Sequence, residues 1–370
     1  MTGRIRQSSL VLLFVFAVLA VALVLLRDVL YEAHISRAIL SFSSDGSVYF
    51  EHYERGYHNV DVLENWTIFL RASPILFMIL ADGNLFIIQA ANLLLMAISM
   101  KVAFDCFSTF SGRMTFLFFS MIFPYFAFGF LGLNKEIYAM CAAMFYGSYM
   151  IRGRLWHLFV AMLLALCARY YMVASFLMLL FAVPRRSNPR WFLIVGGLVA
   201  ISLVAPLIKS MVPEYSSESL LDDSGTISAI MNAVVEQYGY ALLYPVKYVL
   251  LPTLRPFGYV IGDHQDVIGA MVSVLSLIIF SIAGWIWMSG RQMSPIVQRL
   301  IVAGFVAPIP MMWSEITHWR YYSFVYFFFL YALVLHSEAV SARQAERDAG
   351  RTEPRTSDTA TGAETGLVAR

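Results

Sequence analysis

The chain has 370 residues, of which 59% are hydrophobic and 14% charged, with a net charge of +2. Soluble domains carry about 25% charged residues, so a mean hydropathy of +0.69 excludes a soluble globular, disordered, collagenous or disulfide-built protein and points to a polytopic membrane protein. The near balance of charge implies no nucleic-acid or polyanion-binding surface, and Cys106, Cys141 and Cys167, placed singly without C-x-x-C spacing, support neither disulfides nor zinc.

A membrane-spanning helix needs about 20 predominantly apolar residues. Ser9 to Leu26 reads as the first span. It reads as an uncleaved span more than as a signal peptide, because the apolar run is long for one and Arg27-Asp28 follows without a convincing small-x-small site. Arg27 to Arg71 is polar and mixed in charge, a first outer loop holding Asp45, Glu51, Glu54, Asp61 and Glu64. The apolar stretch Ala72 to Phe104 is interrupted by Asp82-Gly83-Asn84. Its first part, Ala72 to Ala81, would reach only about 15 Å as a helix, so it reads as an interfacial or re-entrant helix feeding the span Leu85 to Phe104. Further spans are Met114 to Gly132, Ile137 to Ile151, Trp191 to Ile208, Val267 to Met288, Leu300 to Trp313 and Tyr321 to Leu335.

Leu155 to Val183 carries Arg169-Tyr170-Tyr171 at its middle and reads either as one tilted helix or as two short ones. With two, Lys101, Arg113, Arg152, Arg154, Arg185, Arg186, Arg190, Arg291 and Arg299 all fall on one side, as the positive-inside tendency favours. With one, the Arg185-Arg186-Arg190 cluster lands opposite. Two helices give an all-α transmembrane bundle over residues 1–336, with about ten crossings and both termini cytoplasmic. Outer loops 27–71 and 209–266 carry interfacial helices on the periplasmic side. Residues 337–370 read as a disordered cytoplasmic tail, charged and without apolar periodicity. No internal repeat of fixed period occurs.

This topology sorts groups that are costly near lipid onto the outer face: Asp45, Lys135-Glu136, Arg169, Arg255, Asp263-His264, Glu315, His318 and Arg320. Cations and carboxylates gathered there suit an anionic, amphiphilic substrate. Asp45, in Ser43-Ser44-Asp45-Gly46-Ser47, fits a helix N-cap and equally a general base. Tyr49 and Tyr53 follow as an aromatic stripe at i, i+4. In Asn134-Lys135-Glu136 a cap and a first-turn carboxylate are what a helix start favours, whereas Lys135 sits where the helix dipole repels it. A bound phosphate would account for that lysine. Arg169, Arg255 in Leu254-Arg255-Pro256 and Arg320 in His318-Trp319-Arg320 can be snorkelling interface residues or phosphate ligands. In the loop 212–240, Ile227, Ile230, Met231, Val234 and Val235 have helical spacing, which predicts an amphipathic helix on the membrane or over the site. Walker A, Rossmann, H-E-x-x-H and G-x-S-x-G patterns are absent from the sequence.

The order of these features resembles the GT-C class of membrane glycosyltransferases and the multispanning polymerases of bacterial surface polysaccharides. The resemblance rests on an N-terminal span, an outer loop with Asp45 in S-S-D-G-S-V-Y, and the segment Pro74-Ile75-Leu76-Phe77 before a span containing Asn92. A helical pair turning at Ala168-Arg169-Tyr170 and a late His318-Trp319-Arg320-Tyr321 complete it. It implies transfer of a sugar or repeat unit from a polyprenyl-phosphate or pyrophosphate carrier at the periplasmic face of a bacterial inner membrane, with other polysaccharide-assembly proteins as potential partners. Asp45 would act as base, with Glu136 assisting or orienting. Lys135, Arg169, Arg255 and Arg320 would clamp the phosphate, and His318 and Tyr49 would contact the substrate. Asp45, Glu136, Asp263 and Glu315 have oxygen ligands to offer a divalent cation. A transporter or flippase of a lipid-linked glycan is the competing expectation, disfavoured by the lack of repeat halves.

Overall fold

The computed structural model of the chain describes residues 2–29, 44–56, 73–133, 135–211, 267–289, 293–311 and 323–352. Among them the chain folds into α1 (Thr2–Leu25), α2 (Ser44–Glu54), α3 (Ser73–Leu80), α4 (Leu85–Phe104), α5 (Phe110–Met121), α6 (Pro124–Ala127) and α7 (Glu136–Arg152). After these come α8 (Leu155–Ala168), α9 (Tyr170–Ala182), α10 (Trp191–Met211), α11 (Val267–Met288), α12 (Pro295–Val306) and α13 (Val325–Thr352), with a 3-10 turn over Ile309–Met311. The described residues contain no strand, in agreement with the all-α expectation.

Among the described residues four helices are long and apolar enough to cross a membrane, over Gln7–Leu25, Leu85–Phe104, Ala270–Met288 and Val325–Asp348. Their outward faces, and those of the shorter helices, are apolar: Leu13 is 66% exposed, Phe159 70% and Leu203 75%. Such surfaces have no place in water at this density and suit a lipid bilayer, so the chain carries the marks of a membrane protein.

The bundle is organised around α7, in which 14 of 17 residues are buried. Helices α4, α8, α12 and α13 pack on it. Small side chains set the spacing, as they do where helices meet without a hydrophobic drive between them. Ala161, Ala165 and Ala168 form a fully buried stripe along α8, recurring at helical spacing. On α7, Gly147 receives the ring of Tyr331 from α13. The Tyr331 hydroxyl donates to the Met144 carbonyl at 3.0 Å and lies 2.8 Å from Ser148 Oγ.

The two ends of α7 define the two ends of the bundle. At its C-terminus Gly153 takes a left-handed conformation (φ 74). Arg185 folds over that glycine, donating to the carbonyls of Met150 (3.2 Å) and Ile151 (3.4 Å). At the N-terminus Glu136 meets Arg169. Because Arg169 and Arg185 touch opposite ends of α7, the stretch 155–183 runs up and back as a hairpin. The choice of two helices is therefore upheld over one long one. Lys101, paired with Asp105, and Arg113 also stand at the Arg152 end, next to the Phe107–Tyr331 stack. Arg113 donates to Ser8 of α1 at 2.9 Å. The start of α1 and the charged continuation of α13 thus share that end.

Three expectations are corrected. The span expected over Met114 to Gly132 is discontinuous: α5 ends at Met121 and Pro124 opens the separate four-residue α6, because proline suits a first helical position and no interior one. The expected span Leu300 to Trp313 is displaced toward its N-terminal side, since Ser294 caps α12 through the Val297 amide and Pro295 follows it. The tail expected to be disordered from Ser337 instead continues α13 to Thr352. Glu338 anchors that continuation by accepting from the amides and hydroxyls of Ser108 and Thr109 at 2.6–3.2 Å. It thereby places a carboxylate at the N-terminus of α5, where the helix dipole favours one. Glu338→Gln is expected to cost about 1–2 kcal/mol, read as a lower unfolding midpoint in detergent.

Candidate functional site

Two interruptions of helix build the site at the Glu136 end. Ala81 to Asn84 turns sharply between α3 and α4, with Asp82 at φ 49 and Gly83 at φ 71. Asn84 then caps α4 by accepting from Phe86 N (3.1 Å) and Ile87 N (3.4 Å). The turn seats α2, because the ring of Tyr53 packs so closely on Gly83 that a Cβ there would lie 3.0 Å from it. The second interruption is Arg169. It adopts extended backbone (φ −164, ψ 129) between α8 and α9 with neither proline nor glycine at the break.

That single extended residue turns the Arg169 guanidinium toward α7. Its Nη2 donates to Glu136 Oε1 at 2.7 Å, and its Nη1 donates to the Tyr171 hydroxyl at 2.6 Å. The Glu136 side chain is 2% exposed and that of Arg169 11%. Glu136 occupies the first turn of α7 and Arg169 directly precedes α9, so the positive ends of two helix dipoles converge on the pair. Lys135 lies beside it, its Nζ 5.3 Å from the centre of the Tyr49 ring. Among the described residues the site thus gathers Lys135, Arg169 and Glu136 with the N-termini of α7 and α9.

A buried polar frame holds this end of α7 in register. From α4, Gln89 donates to the Leu131 carbonyl at 2.7 Å and Asn92 to the Gly132 carbonyl at 3.4 Å. Tyr138 of α7 donates to Asn92 Oδ1 at 2.9 Å, and its ring packs on Phe77 of α3, with centroids 5.1 Å apart. The hydroxyl of Ser73 donates to the Cys167 carbonyl, tying the start of α3 to the end of α8 next to Arg169.

Of the residues singled out from sequence, Glu136 and Arg169 are in direct contact, and Lys135 joins Tyr49. Asp45 lies in the first turn of α2, one helical turn before Tyr49. The helix already begins at Ser44, so Asp45 is a first-turn residue and not the cap. Arg255, Asp263, His264, Glu315, His318, Arg320 and the helix expected over 226–238 lie outside the described residues. The carboxylate that Arg169 meets stands 33 positions upstream. Gln89 and Tyr138 were not singled out in the sequence, although a glutamine and an asparagine three residues apart within an apolar span are a usable signal. Among the described residues no group of three or more His, Cys, Asp or Glu gathers as a metal ligand set. Comparison of the chain with protein-family profiles, with curated proteins and with solved structures gives no match.

Proposed function

We propose that this chain is a GT-C-like membrane glycosyltransferase or polymerase acting on a polyprenyl-(pyro)phosphate-linked sugar. The observation that carries this reading is the meeting of Glu136, Arg169 and Lys135, far apart in sequence, at one end of the bundle beside the N-termini of α7 and α9. Placing the arginine-rich Arg152 end in the cytoplasm turns the cluster toward the periplasm. Helices α1, α4, α5 and α7 to α13 then make ten crossings, with α2 and α3 at the outer interface and both termini inside. The bilayer would be a bacterial inner membrane.

Length supports a recessed site. As helices, α8 and α9 reach about 21 Å and 20 Å, against a hydrocarbon core of about 30 Å. Starting from the Arg154 and Arg185 level, they bring Arg169 to about 10 Å below the outer boundary. A pyrophosphate drawn to that depth would leave its polyprenyl tail among the apolar helix faces.

Chemically, transfer needs a base for the acceptor hydroxyl and cations for the charge that develops on the departing phosphate. Asp45 takes the first role. Lys135 and Arg169 take the second, with Arg255 and Arg320 contributing from their loops. Glu136 orients Arg169 and is not the base, because its carboxylate is buried against the guanidinium. Tyr49 and His318 contact the substrate. A divalent cation is not required by this assignment.

Asp45→Asn and Arg169→Lys, in protein that inserts at wild-type levels, are each expected to reduce glycan assembly on lipid carriers by at least a hundredfold, measured as the lipid-linked intermediates that accumulate. Unchanged assembly in both variants would discard the reading. Loss of movement of the lipid-linked glycan across the bilayer, with transfer intact, would instead favour a transporter.

A further inference from the structure

The opposite end of the bundle holds a second charged feature that the transfer reaction does not use. From Ile137 to Pro213 the chain has seven basic residues and no Asp or Glu. Apart from Arg169 and Lys209, all of them lie at two short connections: Arg152 at the end of α7 and Arg154 just before α8, and Arg185, Arg186 and Arg190 between α9 and α10. Arg185 brings the two connections together. Its guanidinium lies over Gly153, where a Cβ would come within 2.0 Å of Nη1, and it donates to the last carbonyls of α7. Arg185 therefore serves as a cap, and the arginines around it remain outside that cap.

Arg152, Arg154, Arg186 and Arg190 are all exposed. Each connection continues directly into an exposed tryptophan, Trp156 (47%) after Arg154 and Trp191 (54%) after Arg190. Arginines with tryptophans at the same level mark the boundary between headgroups and acyl chains. Arg299 of α12 lies close enough to Arg185 for the two charges to repel, and its Nε is buried without a hydrogen-bond partner among the described residues. Among the described residues, Asp105 is engaged with Lys101 and Glu338 with Ser108 and Thr109, and Glu346 and Asp348 lie further along the α13 continuation. The two connections themselves thus carry exposed arginines and no carboxylate, at the level where lipid headgroups would lie.

We infer that Arg154, Arg186 and Arg190, framed by Trp156 and Trp191, form a binding patch for the phosphate headgroups of anionic phospholipids in the leaflet at this end of the bundle. Charge complementarity selects the ligand: a zwitterionic headgroup carries its own cation, whereas an anionic one leaves its phosphate charge uncompensated. A patch between adjacent helices at the membrane boundary, basic throughout, is the arrangement that retains such lipids. The proposal needs the bilayer but not the transfer reaction, so each can fail without the other.

The test is titration of the full chain in neutral detergent with phosphatidylglycerol, phosphatidylcholine and inorganic phosphate, read by native mass spectrometry. Phosphatidylglycerol should be retained preferentially, and Arg154→Gln/Arg186→Gln/Arg190→Gln should weaken its binding about a hundredfold. Arg343→Gln/Arg347→Gln, which removes two exposed arginines of the α13 extension, should leave binding unchanged. Equal retention of both lipids would overturn the proposal, as would the same loss in both variants or displacement of the lipid by millimolar inorganic phosphate. The replaced side chains are exposed, and a wild-type unfolding midpoint without added lipid confirms that the triple variant is folded.

Discussion

Glu136→Ala is expected to cost about 3–5 kcal/mol of stability, because it leaves the Arg169 guanidinium buried without its carboxylate. The local field sharpens the effect. Arg169 stands at the N-termini of α7 and α9, where the helix dipoles already oppose a cation, and Glu136 offsets that opposition. Its 2% exposure and the 11% of Arg169 leave water little scope to compensate. Arg169→Ala should also destabilise, by stranding the carboxylate, although the two helix dipoles soften that loss. The double variant Glu136→Ala/Arg169→Ala should cost well under the sum of the two, with a coupling above about 1 kcal/mol. The measurement is a double-mutant cycle by unfolding in mixed dodecyl maltoside and sodium dodecyl sulfate micelles. Additivity within about 0.5 kcal/mol would mean that the pair does not couple. Because the pair is buried, the coupling should change little between low and high salt.

Gly147→Val should be similarly severe, at about 2–4 kcal/mol. A Cβ at this position would lie 2.7 Å from two carbons of the Tyr331 ring. The ring cannot yield easily. It is fully buried, packed against Phe107 and Phe116, and its hydroxyl is bound to Met144 and Ser148. Overpacking typically costs 1–3 kcal/mol, and displacing Tyr331 adds the loss of its hydrogen bonds, about 1 kcal/mol each. Gly196→Ala in α10 is the internal control. Nothing lies within 4 Å of its Cβ position, so it should be neutral or stabilising by up to about 1 kcal/mol. Equal midpoints for the two variants would show that the approach of α7 to α13 is not close enough to matter.

Features carried by local composition were legible before any coordinates. Val267 to Met288 has the same limits as a sequence span and as α11, since an uninterrupted apolar run has no alternative to a helix in lipid. The break at Arg169 was legible too, because a lone arginine amid apolar residues must reach an interface or a partner. Where local signals compete, boundaries moved. Pro124 splits what hydropathy alone joins, and the helix formers after Ser337 extend α13 once Glu338 finds Ser108 and Thr109.

The sequence by itself determined that this is a chain of apolar helices, where most of them start and stop, and that its arginines divide into two sets. Those properties follow from side-chain transfer energies and helix-end chemistry, which act within a few residues. The tertiary structure alone decided which charges meet: Glu136 with Arg169 across 33 positions, Lys135 over Tyr49 from a separate helix, and Glu338 on α5 across 229. Such pairings depend on how close small residues such as Gly147 and Ala165 let the helices come, and on the single extended residue that aims a guanidinium. Neither quantity is written in any local stretch of the chain.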